Sequence, residues 1–522
     1  MWYPLALILS LTLVTLAAKP RPIVDLGYAQ YEGSLSNNTG NLEFLGIRFA
    51  APPTGALRWR APQAPKTAPG IQRADTPPNR CWSADDGKQP ETPFPVNSNS
   101  KLTKRAVPGF SEDCLFLNVV TPASGNGNLP VLVWIHGGGY ISGSASGFTG
   151  ADPFDGDDLV RDAGGGVVAV IIQYRLGVFG FLPGQKVRDG GVLNAGLLDQ
   201  QFALQWVQRH ISKFGGDPSR VTIWGESAGA GSVMQQVLAN DGNTQPPLFR
   251  AAIQLFATVV NGTKCGAAHD ALDCLRKADV DTLQQLNTQI NADGFFGTFT
   301  FVPVVDGHFI VKRPTELMRE GKVNGEALLA VTNAFEGTPF VDARTANTVQ
   351  IPNYLANLFP EFGDAQVTAG TAQYANMGTP LQQAVAIMGE SIFICPTYFM
   401  LRAFRNKAFK GEFAVPPAGH GEDVIYYFPN MNAGVFPPFN NTIFINNFAQ
   451  SFLNFAISLD PNVKWDPANT VPQWSKWSEE RRVEMLFNKT DANVPVFRSI
   501  TTADGLIERC NFWESVGALS GQ

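Results

Sequence analysis

The chain has 522 residues, 44% of them hydrophobic and 16% charged, which is ample material for a large buried core. A formal net charge of −6 argues against nucleic acid as a partner. Its 51 glycines and 37 prolines are spread throughout, with no linker, charge block or internal repeat, so one large α/β unit over residues 19–522 is expected.

The first element is Leu5–Leu16, an apolar run followed by Ala17-Ala18-Lys19. It is too short to span a bilayer and reads as a secretory signal peptide over residues 1–18. Thr15 and Ala17 give a small-x-small cleavage pattern, with Ala18 the neighbouring alternative. No Lys or Arg precedes the run, so only the α-amino group supplies its positive charge. No later stretch is expected to cross a membrane, and Ala518–Gln522 carries no anchor signal. The expected location is extracellular. Six cysteines suit an oxidising compartment, and sequons at Asn37, Asn261, Asn440 and Asn488 suit a glycosylated chain.

Pro130–Ile135 reads as a fully buried strand running into His136-Gly-Gly-Gly-Tyr140. A glycine triplet after a strand can aim successive backbone N–H groups at one point, as an oxyanion hole for acyl transfer requires. The candidate donors are the N–H groups of Gly138 and Gly139. A helix is expected through Leu197–Phe214. Val221–Ala230 then passes from an apolar strand through Gly-Glu-Ser-Ala-Gly into a small-residue helix start. That order is a nucleophile elbow: the turn is too sharp for side chains at Gly225 and Gly229, and Ser227 is exposed at a helix N-terminus. The N–H of Ala228 is the third oxyanion donor. Ala251–Phe256 is the next strand.

These features lie among further matching blocks. They include Gly46–Gly55 with Leu57-Arg58, Ser111–Val119, Tyr174–Gly177, Asn194–Gln201, Ala203–Val207 and Phe214–Pro218. Together they resemble the type-B carboxylesterase/lipase family, the cholinesterase-like α/β-hydrolases, and are closest in pattern to fungal secreted esterases and lipases. The resemblance covers nearly all of the mature chain. It implies a central, mostly parallel sheet flanked by helices, with large loop and helical insertions, and a serine carboxylic-ester hydrolase. It also implies disulfides Cys81–Cys114 and Cys265–Cys274, which leaves Cys395 and Cys510 as a remaining possible pair. The departure is Leu255-Phe256-Ala257, where relatives usually carry Ser-Gly.

Ser227 needs a base and an orienting acid, and the chain has five histidines. His136 belongs to the glycine block, His210 to a helix, His269 to the Cys265–Cys274 loop, and His308 to a turn. His420 remains, in a glycine-bracketed loop before an expected aromatic strand Val424–Phe428, and His-x-x-Asp-Val resembles the family's base-bearing loop. The acid precedes the base in α/β-hydrolases. Ala327–Asn333 reads as a buried strand, and Glu336 stands just past its end in a phrase resembling the family's acid-bearing Glu-Gly turn. Asp342 and Asp364 are rivals without so clear a strand. Glu226, beside the nucleophile, either tunes the site's electrostatics or makes a structural hydrogen bond. Asp113 can pair with Arg48 or Arg175 structurally.

No metal or organic cofactor is expected, since acyl transfer of this kind needs none and no Cys/His cluster has zinc spacing. Between Cys81 and Cys114 the sequence is polar, without the 3.6-residue apolar stripe of an amphipathic lid. That favours a carboxylesterase over the alternative, a lipase or sterol esterase for long-chain lipid esters. Two phenylalanine groups, Phe295/Phe296/Phe299/Phe301 and Phe436/Phe439/Phe444/Phe448, could line an acyl tunnel, although core packing is the default. A non-catalytic adhesion protein on the same scaffold would have lost the triad, and all three of its members are present. The expected partner is a small-molecule or lipid ester.

Overall fold

The structure is a computed structural model, and it describes residues 21–91, 109–123, 127–147, 154–254, 271–429 and 436–521. The signal peptide, Asn261, Cys265, His269 and residues 92–108 of the Cys81–Cys114 loop lie outside the described residues.

The molecule is organised by an 11-stranded sheet. In chain order its strands are β1 (Ser34–Leu35), β2 (Leu42–Arg48), β3 (Phe116–Thr121), β4 (Leu129–Ile135), β5 (Val168–Ile172), β6 (Gly216–Gly225), β7 (Ala251–Gln254), β8 (Ala327–Asn333), β9 (Ala408–Phe413), β10 (Val483–Lys489) and β11 (Pro495–Thr501). Across the sheet they lie in the order β11-β10-β9-β8-β7-β6-β4-β5-β3-β2-β1. From β5 to β10 in that order every pair is parallel, and the flanking pairs are antiparallel. A small 3-stranded sheet (Ile23–Asp25, Gln30–Glu32, Ile71–Arg73) adds to the N-terminal part.

A parallel sheet must be covered on both faces, so its central strands are apolar throughout rather than alternating. In β4, Val131, Val133 and Ile135 face one core, while Leu132 and Trp134 face the other. The helices Ala195–His210 and Ala228–Gly242 supply Leu197, Leu204, Val233 and Met234 to the first core. On the second face the helix Thr442–Ser458 contributes Phe444, Phe448, Phe452 and Phe455. The first helix stops at His210 and continues as a 3-10 turn over Ile211–Phe214, closed by Gly215 at φ 83°.

One expectation changes. Val424–Tyr426 forms a 3-10 turn rather than a strand. Its neighbours Tyr427 and Phe428 turn inward onto Trp134 and Trp224, so aromatic packing dictates the shape. Cys274 carries a free, exposed thiol, and Cys265, its expected partner, lies outside the described residues. On its short helix Leu272 and Leu275 take the inward positions and leave Cys274 to solvent. Cys81–Cys114 and Cys395–Cys510 are bonded, the latter closing a separation of 115 residues. Among the described residues one helical stretch, Pro380–Ala403, is apolar and long enough to cross a membrane by length and composition, and it is mostly buried inside the fold.

Candidate active site

Four strands deliver the site's residues at their C-terminal ends, where open parallel sheets place their crevices. β6 ends at Gly225, and Ser227 follows with φ 57° and ψ −127°. A side chain in that region costs about 1–3 kcal/mol and persists only where the surroundings enforce it. The enforcement is steric. A Cβ on Gly229 would lie 2.0 Å from the Ile135 carbonyl oxygen, and one on Gly225 would lie 2.5 Å from the Gly229 carbonyl carbon. Ala228 opens the helix Ala228–Gly242, so its N–H has no intrahelical acceptor.

β4 ends at Ile135 and the glycine block follows. Gly138 (φ 101°), Gly139 (φ 60°) and Tyr140 (φ 63°) take three successive positive φ values. Tyr140 tolerates this because its buried ring packs edge-on to Phe181 and its carbonyl accepts from Gly177 N–H. Gly139 can carry no side chain, since a Cβ would meet the Phe299 ring at 2.2 Å.

β8 and β9 lead into the loops that carry Glu336 and His420, the candidate acid and base. The Ala334 N–H donates to the Phe413 carbonyl and the Phe335 N–H to that of Ala418, so the loops leaving these strands are tied together by their backbones. Glu336 is buried; its Oε1 accepts from Asn333 N–H at 2.6 Å and its Oε2 from Nδ1–H of His420 at 2.6 Å. With Nδ1 so engaged, Nε2 is the nitrogen left for chemistry. Asp423 lies beneath, fully buried, accepting from Asn333 Nδ2 and the Tyr427 hydroxyl. Burial raises its carboxyl to about 6.

Glu226 does more than the sequence could decide. Its Oε1 lies 3.1 Å from Nε2 of His420, close enough for charge attraction but not aligned as a hydrogen bond. Burial pushes the His420 imidazole down, but Glu226, Glu336 and Asp423 outweigh it and hold the ring above its ordinary range. Burial likewise raises Glu226, against the opposing pull of His420. Each of the pair favours the proton that the other can also hold.

A cavity of about 520 Å³ brings Ser227, His420, Gly138, Gly139 and Glu226 together with Phe299 and Phe340. The His420 ring is flanked by Phe393 at 4.5 Å and Phe340 at 5.0 Å between ring centroids. Phe393 was not legible as a site residue, since only tertiary packing brings it there. Of the two phenylalanine groups, Phe299 lines the cavity, while Phe295 and Phe301 are core residues. Phe439, Phe444 and Phe448 pack in the core on the sheet's other face and Phe436 is exposed, so the second group lines no tunnel among the described residues.

The other candidates fall elsewhere. His210 packs against Tyr28 and Trp206, His308 is exposed in a turn, Asp342 binds Arg344 and Asp364 is exposed. Asp113 pairs with Arg48, and Arg175 with the buried Asp199. Asn37 and Asn440 are exposed and Asn488 is half-buried.

Residues 20–513 match the family model described as the carboxylesterase family. The chain is 31% identical to the carboxylesterase patB of Penicillium expansum, covering 98% of this chain and 99% of that one. It is 32% identical to lipase 4 of Diutina rugosa, over 91% of this chain and 92% of the relative. The crystal structure of Aspergillus niger EstA superposes with a TM-score of 0.82 at 27% identity, covering 96% of this chain and 99% of that one.

Proposed function

Because the chain belongs to the carboxylesterase family, we propose that it hydrolyses carboxylic esters through an acyl-enzyme on Ser227, with His420 as base and Glu336 as orienting acid. The observation that carries this reading is the 2.6 Å bond from His420 Nδ1–H to Glu336, in a base that shares one cavity with Ser227 and the glycine block.

A serine hydroxyl is a weak nucleophile at neutral pH, so His420 Nε2 takes its proton as Oγ attacks the ester carbonyl. Glu336 stays ionised, fixes the tautomer and stabilises the imidazolium. The negative oxygen of the tetrahedral intermediate takes hydrogen bonds from the N–H groups of Gly138, Gly139 and Ala228, each worth about 3 kcal/mol if it acts as oxyanion donors do elsewhere. Collapse of the intermediate breaks the bond to the alcohol, which leaves with the proton held on Nε2. Water then gives a proton to His420 Nε2 as its oxygen attacks the acyl carbon; collapse breaks the bond to Oγ, which takes that proton back, and the acid is released.

We assign residues 19–522 to one α/β-hydrolase unit behind a signal peptide, in a secreted protein carrying glycans at the exposed sequons. The favoured substrates are esters of modest chain length, since Phe299 and Phe340 wall the cavity close to the nucleophile. A lipase is the second reading, favoured by that same apolar lining. Rates on p-nitrophenyl esters of rising acyl length, with and without emulsified triglyceride, separate the two. Saturation below the solubility limit, abolished in Ser227→Ala, is the expected result. A jump in rate on droplets would favour the lipase, and turnover surviving in Ser227→Ala would sink the reading altogether.

A further inference from the structure

An oxyanion hole built from backbone works only if its peptide planes cannot rotate. A peptide unit is planar and trans, so its carbonyl and the following N–H point in opposite directions. Whatever grips the carbonyl therefore aims the N–H. The N–H of Gly138 shares its peptide with the Gly137 carbonyl, and the N–H of Gly139 with the Gly138 carbonyl.

The Gly138 carbonyl is held by the turn that follows it, accepting from Ile141 N–H (3.0 Å), Ser142 N–H (2.9 Å) and the Ser142 hydroxyl (3.0 Å). The Gly137 carbonyl receives no backbone donor among the described residues; its partner is Nδ1 of His136 at 2.9 Å. Facing a carbonyl, that nitrogen can only donate. Burial pushes this imidazole down to about 4, so the ring is neutral with its proton on Nδ1.

The ring is itself fixed. It stacks on Tyr174 at 4.5 Å with an 18° tilt, and the Tyr174 hydroxyl donates to the His136 carbonyl at 2.9 Å. A Cβ on Gly143 would lie 2.7 Å from Nδ1, so Gly143 is what lets the ring reach its carbonyl. Nε2 is buried and has no partner among the described residues. A phenylalanine would stack on Tyr174 in the same slot without stranding a polar nitrogen. The one thing it could not do is grip Gly137.

We propose that His136 and Ser142 are positioning residues of the oxyanion hole: each holds a carbonyl of the glycine block and thereby aims the N–H of Gly138 or Gly139 at the reacting oxygen. The inference rests on the Ser227 reading above. Losing the grip leaves substrate binding in place and weakens what holds only the tetrahedral state, so it lowers kcat rather than raising KM.

The test compares native protein with His136→Phe, His136→Asn and Ser142→Ala on a short p-nitrophenyl ester. Inhibition by a trifluoromethyl ketone, whose serine adduct carries an oxyanion, is measured alongside. In His136→Phe, kcat should fall about 30- to 100-fold with KM unchanged, and ketone affinity should fall by the same factor. His136→Asn keeps a donor near the Nδ1 position and should recover most of the loss, while Ser142→Ala should show a smaller fall in both readouts. If His136→Phe does not fold, His136→Gln, whose amide lies too far along the side chain, takes its place against His136→Asn. Unchanged kcat and ketone affinity, a loss confined to KM, or a fall that Asn does not relieve would each overturn the inference. Native turnover that survives Ser227→Ala would instead overturn the underlying assignment.

Discussion

Around Ser227 the chain leaves no room for side chains, whereas around His420 it crowds charged ones together. On the nucleophile side Gly225, Gly229, Gly137 and Gly139 stand where any Cβ would collide with backbone or with a neighbouring side chain. Position is set by steric exclusion, and charge plays little part. On the acid–base side Glu336, Glu226 and Asp423 are all buried within reach of one imidazole. Position there is set by which charges attract and which must share a proton. One half should fail when a methyl group is added, the other when a charge is removed without any change of shape.

Glu336→Gln makes the sharpest cut, because it preserves shape and removes charge. The amide can present its N–H side to Nδ1 and favour the wrong tautomer of His420, so kcat should fall about 10⁴-fold with little change in melting temperature. A loss below tenfold would mean that the carboxylate does not orient the base.

Gly229→Ala is the converse experiment. It adds one carbon 2.0 Å from the Ile135 carbonyl and changes no charge. Forced contacts of this kind typically cost about 1–3 kcal/mol, so in a chain of this length the melting temperature should drop by about 1–3 degrees and activity with it. Native stability in this variant would show that the elbow can relax, and the contrast between the two halves would weaken.

Glu226→Gln has the smallest expected effect on the maximal rate and the clearest effect on pH dependence. His420 acts as a base only when neutral, so the rate climbs as pH rises through the pKa of the ring. The carboxylates hold that pKa above the ordinary 6.5, which places the acid limb of kcat/KM above it as well. Removing the Glu226 charge takes away support for the protonated ring and should move the limb to lower pH. An unmoved limb would assign Glu226 a purely structural role.

The steric half was the more legible in the sequence. Apolar runs announce β4, the end of β6 and β8, and glycines placed just beyond them mark where the chain turns. The acid–base half was legible only in part. Val424–Phe428 has the composition of a strand, but its aromatics are consumed by packing on Trp134 and Trp224. The strand that actually carries the His420 loop, β9, is interrupted by Lys410 and Glu412 and so lacks an apolar run. Lys410 is buried there because Glu484 lies 3.2 Å away and Thr332 accepts from its ammonium. The Glu226 contact depends on loops from distant strands meeting, and the Phe393 wall on a helical turn over Glu390–Ile394 packing against the His420 loop, which no local pattern records.

The most direct test of the whole account is the site and pH dependence of labelling by a fluorophosphonate. One adduct per chain is predicted, on Ser227, forming at a rate that follows the deprotonation of His420 and falls steeply in Glu336→Gln. An adduct on another residue, or labelling that persists in Ser227→Ala at the native rate, would contradict it.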